Sequence, residues 1–274
     1  GYGCNASLLA QYARRFRDAE LMAAAIEARY EPGPADLRFP LAWIDPAERI
    51  ERGRCDVWPV SGRAILRLGP ASLVLDFGPH GGWHGDWDKL SFEMFNDAGP
   101  VVCDPGTYQY EEALHWTHFK HTASHSTVTL DTRRQATCSG WLVEHVVEGE
   151  DHRVVVAAET YPGVTHQRTL RHVDGGFGIR DVLHGDLDGH EAVFRLTVPH
   201  RLAITGGRAA TETCEIELLD IRGEDVVEVV EVPVIATEPG RGKKECVTGY
   251  QLRWRRPIQP NEDTIDFGCV LRPG

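Results

Sequence analysis

The sequence predicts a mainly β protein, a large antiparallel β-sandwich preceded by a short α-helical segment. Three observations carry that expectation. From Val57 onward, short apolar runs are separated by clusters of Gly, Pro, Asp and Asn, the punctuation of many strands joined by turns. Inside those runs the side chains alternate in character, as in Arg63-Ala-Ile-Leu-Arg67 and Thr165-His-Gln-Arg-Thr-Leu-Arg171. That is the period of a strand buried on one face. Before Val57 the texture differs: residues 6–30 are rich in alanine and set Leu8, Leu9, Tyr12, Phe16, Leu21, Ala24 and Ala25 at helical spacing.

In chain order, Asn5 or Ser7 is placed to cap the helix, and Glu31-Pro-Gly-Pro34 stops it. Residues 31–52 carry Pro32, Pro34, Pro40 and Pro46 and read as a linker. Residues 1–52 are therefore expected to be a helical segment with linker, and residues 53–274 a β domain. Strands are expected over 64–68, 72–77, 90–95, 101–103, 126–130, 143–147, 154–158, 165–173, 177–183, 192–198, 214–219, 226–232 and 248–255. The acidic run 215–231 reads as a pair of solvated strands, and 240–244 as a basic turn.

Composition narrows the function. With 29 Lys and Arg against 41 Asp and Glu, the chain of 274 residues has a formal net charge of −12. That argues against a nucleic-acid partner, which needs a basic face. An acidic sugar remains a possible ligand, provided the chain builds a local cationic pocket. The seven cysteines are scattered without a CxxC and fit buried thiols better than a disulfide framework. No run approaches the roughly 18 apolar residues of a membrane helix. The chain opens at Gly1 without an initiator Met or signal peptide and reads as a piece of something longer.

The chemistry concentrates between Gly78 and Tyr110, where His80, His84, Asp86, Asp88 and Asp104 lie among glycines and two tryptophans. In an extended segment His84, Asp86 and Asp88 would share a face. Asp104 ends a strand before the Pro105-Gly106 turn, and His125 enters the next strand. Asp86, Asp104 and His125, converging at one sheet rim, would make a divalent metal site. Their donors suit Zn²⁺ foremost, with Ca²⁺ or Mn²⁺ as alternatives. Asp88 reads as a turn residue or a support for a ligand. Tyr108 and Tyr110 are two apart, so in a strand they would share a face. His115, His118 and His121 have helical spacing, but no acidic or cysteine partner joins them.

These residues resemble the heparinase II/III-like family of polysaccharide lyases, which includes alginate lyases. The resemblance lies in GPHGGWHGDWDKLSF, AGPVVCDPGTYQY and TASHSTVTLD with Gln135 following, and more weakly in HQRTLRHVDGGFGIRDVL with His190 after it. It implies that segment 6–30 ends an α/α toroid whose remainder, an N-terminal helical domain carrying the family's main acid/base tyrosine, lies outside this chain. It implies that His84 assists catalysis in the substrate cleft, and that Asp104 and His125 hold a structural zinc. Asp86 stands where the family pattern has a second zinc-binding histidine. That departure exchanges a neutral nitrogen for a charged oxygen and leaves the metal's identity open.

The implied reaction is β-elimination on a uronate glycan of alginate or heparin type. It needs the sugar carboxylate neutralised, a base for the C5 proton and an acid for the departing O4. His84, with Tyr108 or Tyr110, is the expected catalytic group. His80, Trp83, Trp87 and Lys120 are expected to contact the sugar. By family analogy the location would be periplasmic or secreted. A rival reading is a non-catalytic sandwich that binds glycan or braces a neighbouring domain around a structural metal. It would bury His84 under the sheet instead of opening it beside aromatic rings. A hydrolase using paired carboxylates such as Asp86 and Asp104 is a third reading.

Overall fold

A computed structural model describes residues 54–149, 151–237 and 244–274. The expected helix 6–30, the linker 31–52 and nearly all of the basic turn 240–244 lie outside the described residues. Every sheet is antiparallel. β1 (Cys55–Trp58), β2 (Arg63–Leu68), β3 (Ala71–Asp76), β4 (Phe92–Asn96) and β5 (Gly99–Val102) form a five-stranded meander in chain order. β6 (Val128–Leu130), β11 (Glu191–Val198), β15 (Val226–Thr237) and β16 (Lys244–Pro257) form a four-stranded sheet in the order β15-β16-β11-β6.

The remaining eight strands are β7 (Trp141–Glu148), β8 (Asp151–Tyr161), β9 (Val164–Val173), β10 (Gly176–Gly185), β12 (Ala203–Thr205), β13 (Arg208–Ala210), β14 (Cys214–Leu219) and β17 (Thr264–Pro273). Their order is β12-β13-β14-β17-β10-β9-β8-β7. The acidic run is not a pair of neighbouring strands, because β14 and β15 lie in different sheets.

One apolar core joins all three sheets. Leu66, Leu73, Leu75 and Phe92 from the meander, Phe194, Leu196 and Trp254 from the four-stranded sheet, and Val154, Val156, Leu170 and Phe267 from the eight-stranded sheet belong to a single cluster. Alternation creates it: in β3 the residues Ala71, Leu73 and Leu75 are buried while their neighbours are half-buried. Trp254 stands edge-on to Phe267 at 4.9 Å and ties β16 to β17 across the core. The two smaller sheets meet where Cys103, just past β5, donates its N–H to the Thr197 carbonyl of β11 at 2.9 Å. The six cysteines among the described residues are free thiols, and four of them are buried.

A charged device runs through this core. Arg168 on β9 faces its ladder partner Asp181 on β10, both fully buried, with Nε–Oδ1 at 2.7 Å and Nη2–Oδ2 at 2.9 Å. His166, next on the same face, holds Asp181 Oδ1 at 2.6 Å. The remaining Arg168 nitrogen, Nη1, donates to the Ser126 carbonyl at 2.8 Å and to the Leu90 carbonyl. Leu90 has a left-handed backbone with φ of 63°, a conformation that a branched side chain adopts only when its surroundings impose it. Here the Asp76 carbonyl, accepting from Leu90 N–H at 3.1 Å, and Arg168 impose it.

Removing one partner of a fully buried pair leaves the other charge uncompensated, at a cost of about 3–5 kcal/mol. Arg168→Met should lower the urea unfolding free energy by that amount. Removing the exposed Arg180–Asp266 pair (2.8 Å) should cost under ~1 kcal/mol. Acid sensitivity should follow the same network. Burial, acting against the pull of Asp181, holds His166 below the ordinary value of 6.5. Its contribution is complete above pH 6.5 and declines as pH falls, because the unfolded chain takes a proton that the native ring refuses. Asp181 is pushed up by burial, but the charges of Arg168 and His166 and their hydrogen bonds outweigh that and hold it below 3.8. Its contribution is lost only at more acid pH, through its lowered native value. His166→Gln should flatten the part of the stability curve that falls just below pH 6.5, as read by denaturation across a pH series.

Candidate functional site

Three segments from two connections at one end of the sandwich carry the site: the loop from β3 to β4, and the first and last parts of the connection from β5 to β6. In the first, Gly82–His84 forms a single 3-10 turn. Gly81 and Gly85 close its base so tightly that a Cβ on Gly85 would stand 2.4 Å from the Gly81 nitrogen, so only glycine fits there. The second turns at Gly106, whose φ is +92° and whose N–H donates to Asp104 Oδ1 at 2.7 Å. The third contains a π-helical turn, His115–Phe119, then a 3-10 turn, Thr122–Ser124, that delivers His125.

The three expected ligands come together. One donor atom each from Asp86, Asp104 and His125 lie within 4.8 Å of one another. His125 Nε2 is 3.3 Å from Asp104 Oδ2 and 4.0 Å from Asp86 Oδ2. The imidazole is fully buried, and its Nδ1 is 3.0 Å from the His121 carbonyl. A carbonyl only accepts, so Nδ1 carries the proton, and Nε2 points at the carboxylates without a hydrogen-bond partner.

The electrostatics are those of crowded anions around one cation. Burial lowers the His125 value, but contact with Asp104 and the charges of Asp88 and Asp86 prevail and raise it to about 9. Asp86 is pushed up to about 6, by burial first and by Asp104 and Asp88 next, against the attraction of His125. Burial also raises Asp88 and Glu93, and the Asp104 charge adds to each. Asp104 is pulled up by burial, but His125 and the Gly106 amide outweigh that and hold it below the usual carboxylate range. Asp88 lies near the three donors without joining them.

Around this cluster the loop sorts its aromatic residues by access. Trp83 is 82% exposed. His84 is exposed and its Nδ1 lies 3.3 Å from the Tyr110 hydroxyl. Trp87 is covered by the Arg134 guanidinium at 3.7 Å, with the His80 ring at 5.7 Å. Tyr108 stacks on Phe119 at 5.3 Å, turned away from its sequence neighbour. The shared face expected for the two tyrosines is absent because 103–109 is irregular chain and not a strand. Lys120, expected at the ligand surface, is buried. Its ammonium donates to the Trp83 carbonyl at 2.7 Å, pairs with Asp86 Oδ1 at 3.8 Å, and lies 5.5 and 5.4 Å from the Trp87 and Trp116 rings.

The histidines at helical spacing part ways. His118 holds the Pro233 carbonyl at 2.8 Å, and His121 Nδ1 accepts the Ala123 N–H at 3.2 Å. His115 was not singled out alone, yet it is buried against Tyr110 at 4.6 Å with neither ring nitrogen hydrogen-bonded. Burial, then the Lys120 charge, hold it below the usual histidine value, hence neutral. Arg134 and Arg168 were also missed, although the alternation His166, Arg168, Leu170 pointed Arg168 inward.

No curated protein matches the chain. Among solved structures it is similar to the heparan sulfate lyase HepC from Pedobacter heparinus, with a TM-score of 0.73 and 17% identity over 99% of this chain and 42% of that one. A heparinase III gene product gives 0.74 and 17% over 98% and 41%, and a further heparinase III gives 0.72 and 15% over 97% and 41%. At such identities the likeness is one of fold, and the chain spans about two fifths of the length of those proteins. The family described as "Heparinase II/III-like, C-terminal" matches residues 52–237, which include all three site-bearing segments. The chain thus belongs to the heparinase II/III-like family of polysaccharide lyases.

Proposed function

We propose that this chain is the β-sandwich part of a lyase that cleaves a uronate-containing glycan, of alginate or heparan type, by β-elimination. The observation that carries this reading is the exposed His84–Tyr110 pair, with the bare face of Trp83 beside it and the Asp86–Asp104–His125 cluster behind the same loop. A sandwich that only braced a neighbouring domain would bury His84 under the sheet instead of opening it beside aromatic rings.

In the elimination, the C5 proton leaves to a base, its electron pair forms the C4–C5 double bond, and the C4–O4 bond breaks as O4 takes up a proton. His84 is suited to bind the uronate carboxylate or to move a proton, because an exposed imidazole offers both a donor and an acceptor nitrogen. The Tyr110 hydroxyl, within reach of His84 Nδ1, is suited to exchange a proton with it. Trp83 offers a flat apolar face to a pyranose ring. Tyr108 is stacked under Phe119 and has no part in this scheme.

Asp86, Asp104 and the unpartnered His125 Nε2 fit a divalent ion. With the Nε2 proton displaced by the ion, one imidazole nitrogen and two carboxylates would suit zinc, with manganese or calcium as alternatives. Such an ion would supply fixed positive charge that relieves the crowding of carboxylates and braces the loop. The missing catalytic groups would come from an N-terminal helical domain of the same protein. A polymeric acidic substrate fits a periplasmic or secreted location.

Elemental emission of purified protein should find about one divalent ion per chain, and Asp104→Asn or His125→Ala should lose it. Chelation should lower the melting temperature of the native protein and not that of these variants. Metal-free native protein would remove the metal from the proposal. The full-length protein given alginate or heparan oligosaccharides should form an unsaturated product absorbing in the ultraviolet. His84→Ala should reduce kcat by about 10²–10⁴ with an unchanged melting temperature, and no product from any uronate glycan would sink the elimination reading.

A further inference from the structure

The outward face of the four-stranded sheet holds two arginines that the elimination chemistry does not use. Arg195 on β11 and Arg253 on β16 are ladder partners. Both donate to one acceptor, the side-chain oxygen of Gln251, Arg195 through Nη1 at 3.2 Å and Arg253 through Nε at 2.8 Å. The Gln251 amide nitrogen is engaged by the Ala123 carbonyl at 2.8 Å and Thr197 Oγ1 at 3.0 Å, so its oxygen is committed to the arginines. Arg195 Nε donates to Thr129 Oγ1 at 3.1 Å. Every one of these acceptors is neutral.

Among the described residues no carboxylate forms an ion pair with either arginine. Glu228, opposite Arg253 in the ladder, turns instead to Arg255 at 3.7 Å. Arg195 is only 5% exposed. The other buried arginines among the described residues are built differently: Arg168 is neutralised by Asp181, and Arg256 by Asp225 at 2.6 Å. A buried guanidinium facing a second one across a neutral amide suffers desolvation and like-charge repulsion together. Burial first, and Arg253 next, lower Arg195 to about 10. An oxyanion bound between them would remove both penalties, and guanidinium is the side chain best shaped to bind one.

The pair adjoins the candidate site. Ala123 and Thr129, which bracket it, belong to the segment that delivers His125. The charges of Arg134 and Arg195 both act on the intervening His121 ring, and Arg134 lies over Trp87. Arg253 is half-buried and reachable from solvent. In a chain of net charge −12, this is a local concentration of cations, with Glu228 and Glu191 acting on it from a distance and without an ion pair to either Arg195 or Arg253.

We propose that Arg195 and Arg253 form an oxyanion subsite that receives a carboxylate or sulfate group of the acidic glycan, with Arg134 continuing the cationic track toward Trp87. The oxyanion chemistry stands on the arginines alone, whereas its assignment to the glycan rests on the proposed function.

The probe is inorganic sulfate against chloride at matched ionic strength, followed by an acidic oligosaccharide, with melting temperature and calorimetric titration of the full-length protein as readouts. Sulfate should raise the melting temperature of the native protein beyond the chloride control. Arg253→Gln should abolish that rise, Arg253→Lys should keep part of it, and Arg208→Gln, on the far sheet, should keep all of it. Without sulfate, Arg253→Gln should melt no lower than the native protein, because it removes repulsion instead of a neutralising charge. Oligosaccharide affinity should fall about tenfold in Arg253→Gln. An undiminished sulfate response in Arg253→Gln, or none in the native protein, would overturn the subsite. Loss of sulfate binding with oligosaccharide affinity intact would overturn the glycan assignment. Sulfate binding without any lyase activity would leave the subsite standing and the elimination reading fallen.

Discussion

The Arg168 guanidinium is the constraint on which the geometry of the site depends. Its pairing with Asp181 fixes it to the floor of the eight-stranded sheet, and its last nitrogen reaches two carbonyls that no sheet ladder connects. Leu90 closes the loop carrying Asp86 and Asp88, and Ser126 directly follows His125. One rigid planar group thus sets the spacing between the two arms that bring an aspartate and a histidine together. The Lys89 carbonyl adds two further ties, from Thr127 Oγ1 at 3.0 Å and Gln135 Nε2 at 3.2 Å. Loops seldom place side chains well by themselves. Here the loop ends are fastened to buried hydrogen-bond donors, and a donor left unmade in that interior would be costly.

Electrostatic crowding is the counterpart of that rigidity. Asp86, Asp88 and Asp104 act on one imidazole, and burial first, with the Asp104 charge adding to it, raises Asp86, Asp88 and the nearby Glu93. Two like charges about 4 Å apart at an effective dielectric near 20 repel by about 4 kcal/mol. Lys120 relieves one side from beneath the loop and does not face a ligand. On the outer face of the four-stranded sheet the crowded groups are Arg195 and Arg253, which share a neutral acceptor while Glu228 turns to Arg255.

Local pattern decided what was legible in the sequence. Thirteen expected strands overlap observed ones, because each carries its own alternation or apolar run. β17 was missed although Ile265, Phe267, Cys269 and Leu271 alternate inward; Gly268 and the polar residues before Thr264 disguise the run. β1, β12 and β13 are too short to show a period. Asp86, Asp104 and His125 could be found because each stands at a strand end marked by Gly or Pro or by a motif. Lys120 and Tyr108 could not be placed, since their environments depend on how a turn folds back over them. Arg195 and Arg253 were invisible as a pair, because only the register between β11 and β16 makes them neighbours.

Access divides the aromatic residues of the loop into two kinds of work. Trp87 is covered by the Arg134 guanidinium, with the Lys120 ammonium and the His80 ring also near its indole. Trp83 is exposed, yet its backbone carbonyl is fixed by Lys120. The same ammonium faces Asp86, which makes it a short mechanical link between the carboxylate cluster and the residue preceding His84. On the elimination reading, this link gives the cluster a purpose beyond folding. Whatever neutralises the carboxylates also decides how strongly Lys120 is drawn toward Asp86, and therefore how firmly the turn presents His84. A cluster that only stabilised the fold would have no need of a buried lysine placed between it and the one exposed imidazole that a tyrosine hydroxyl meets.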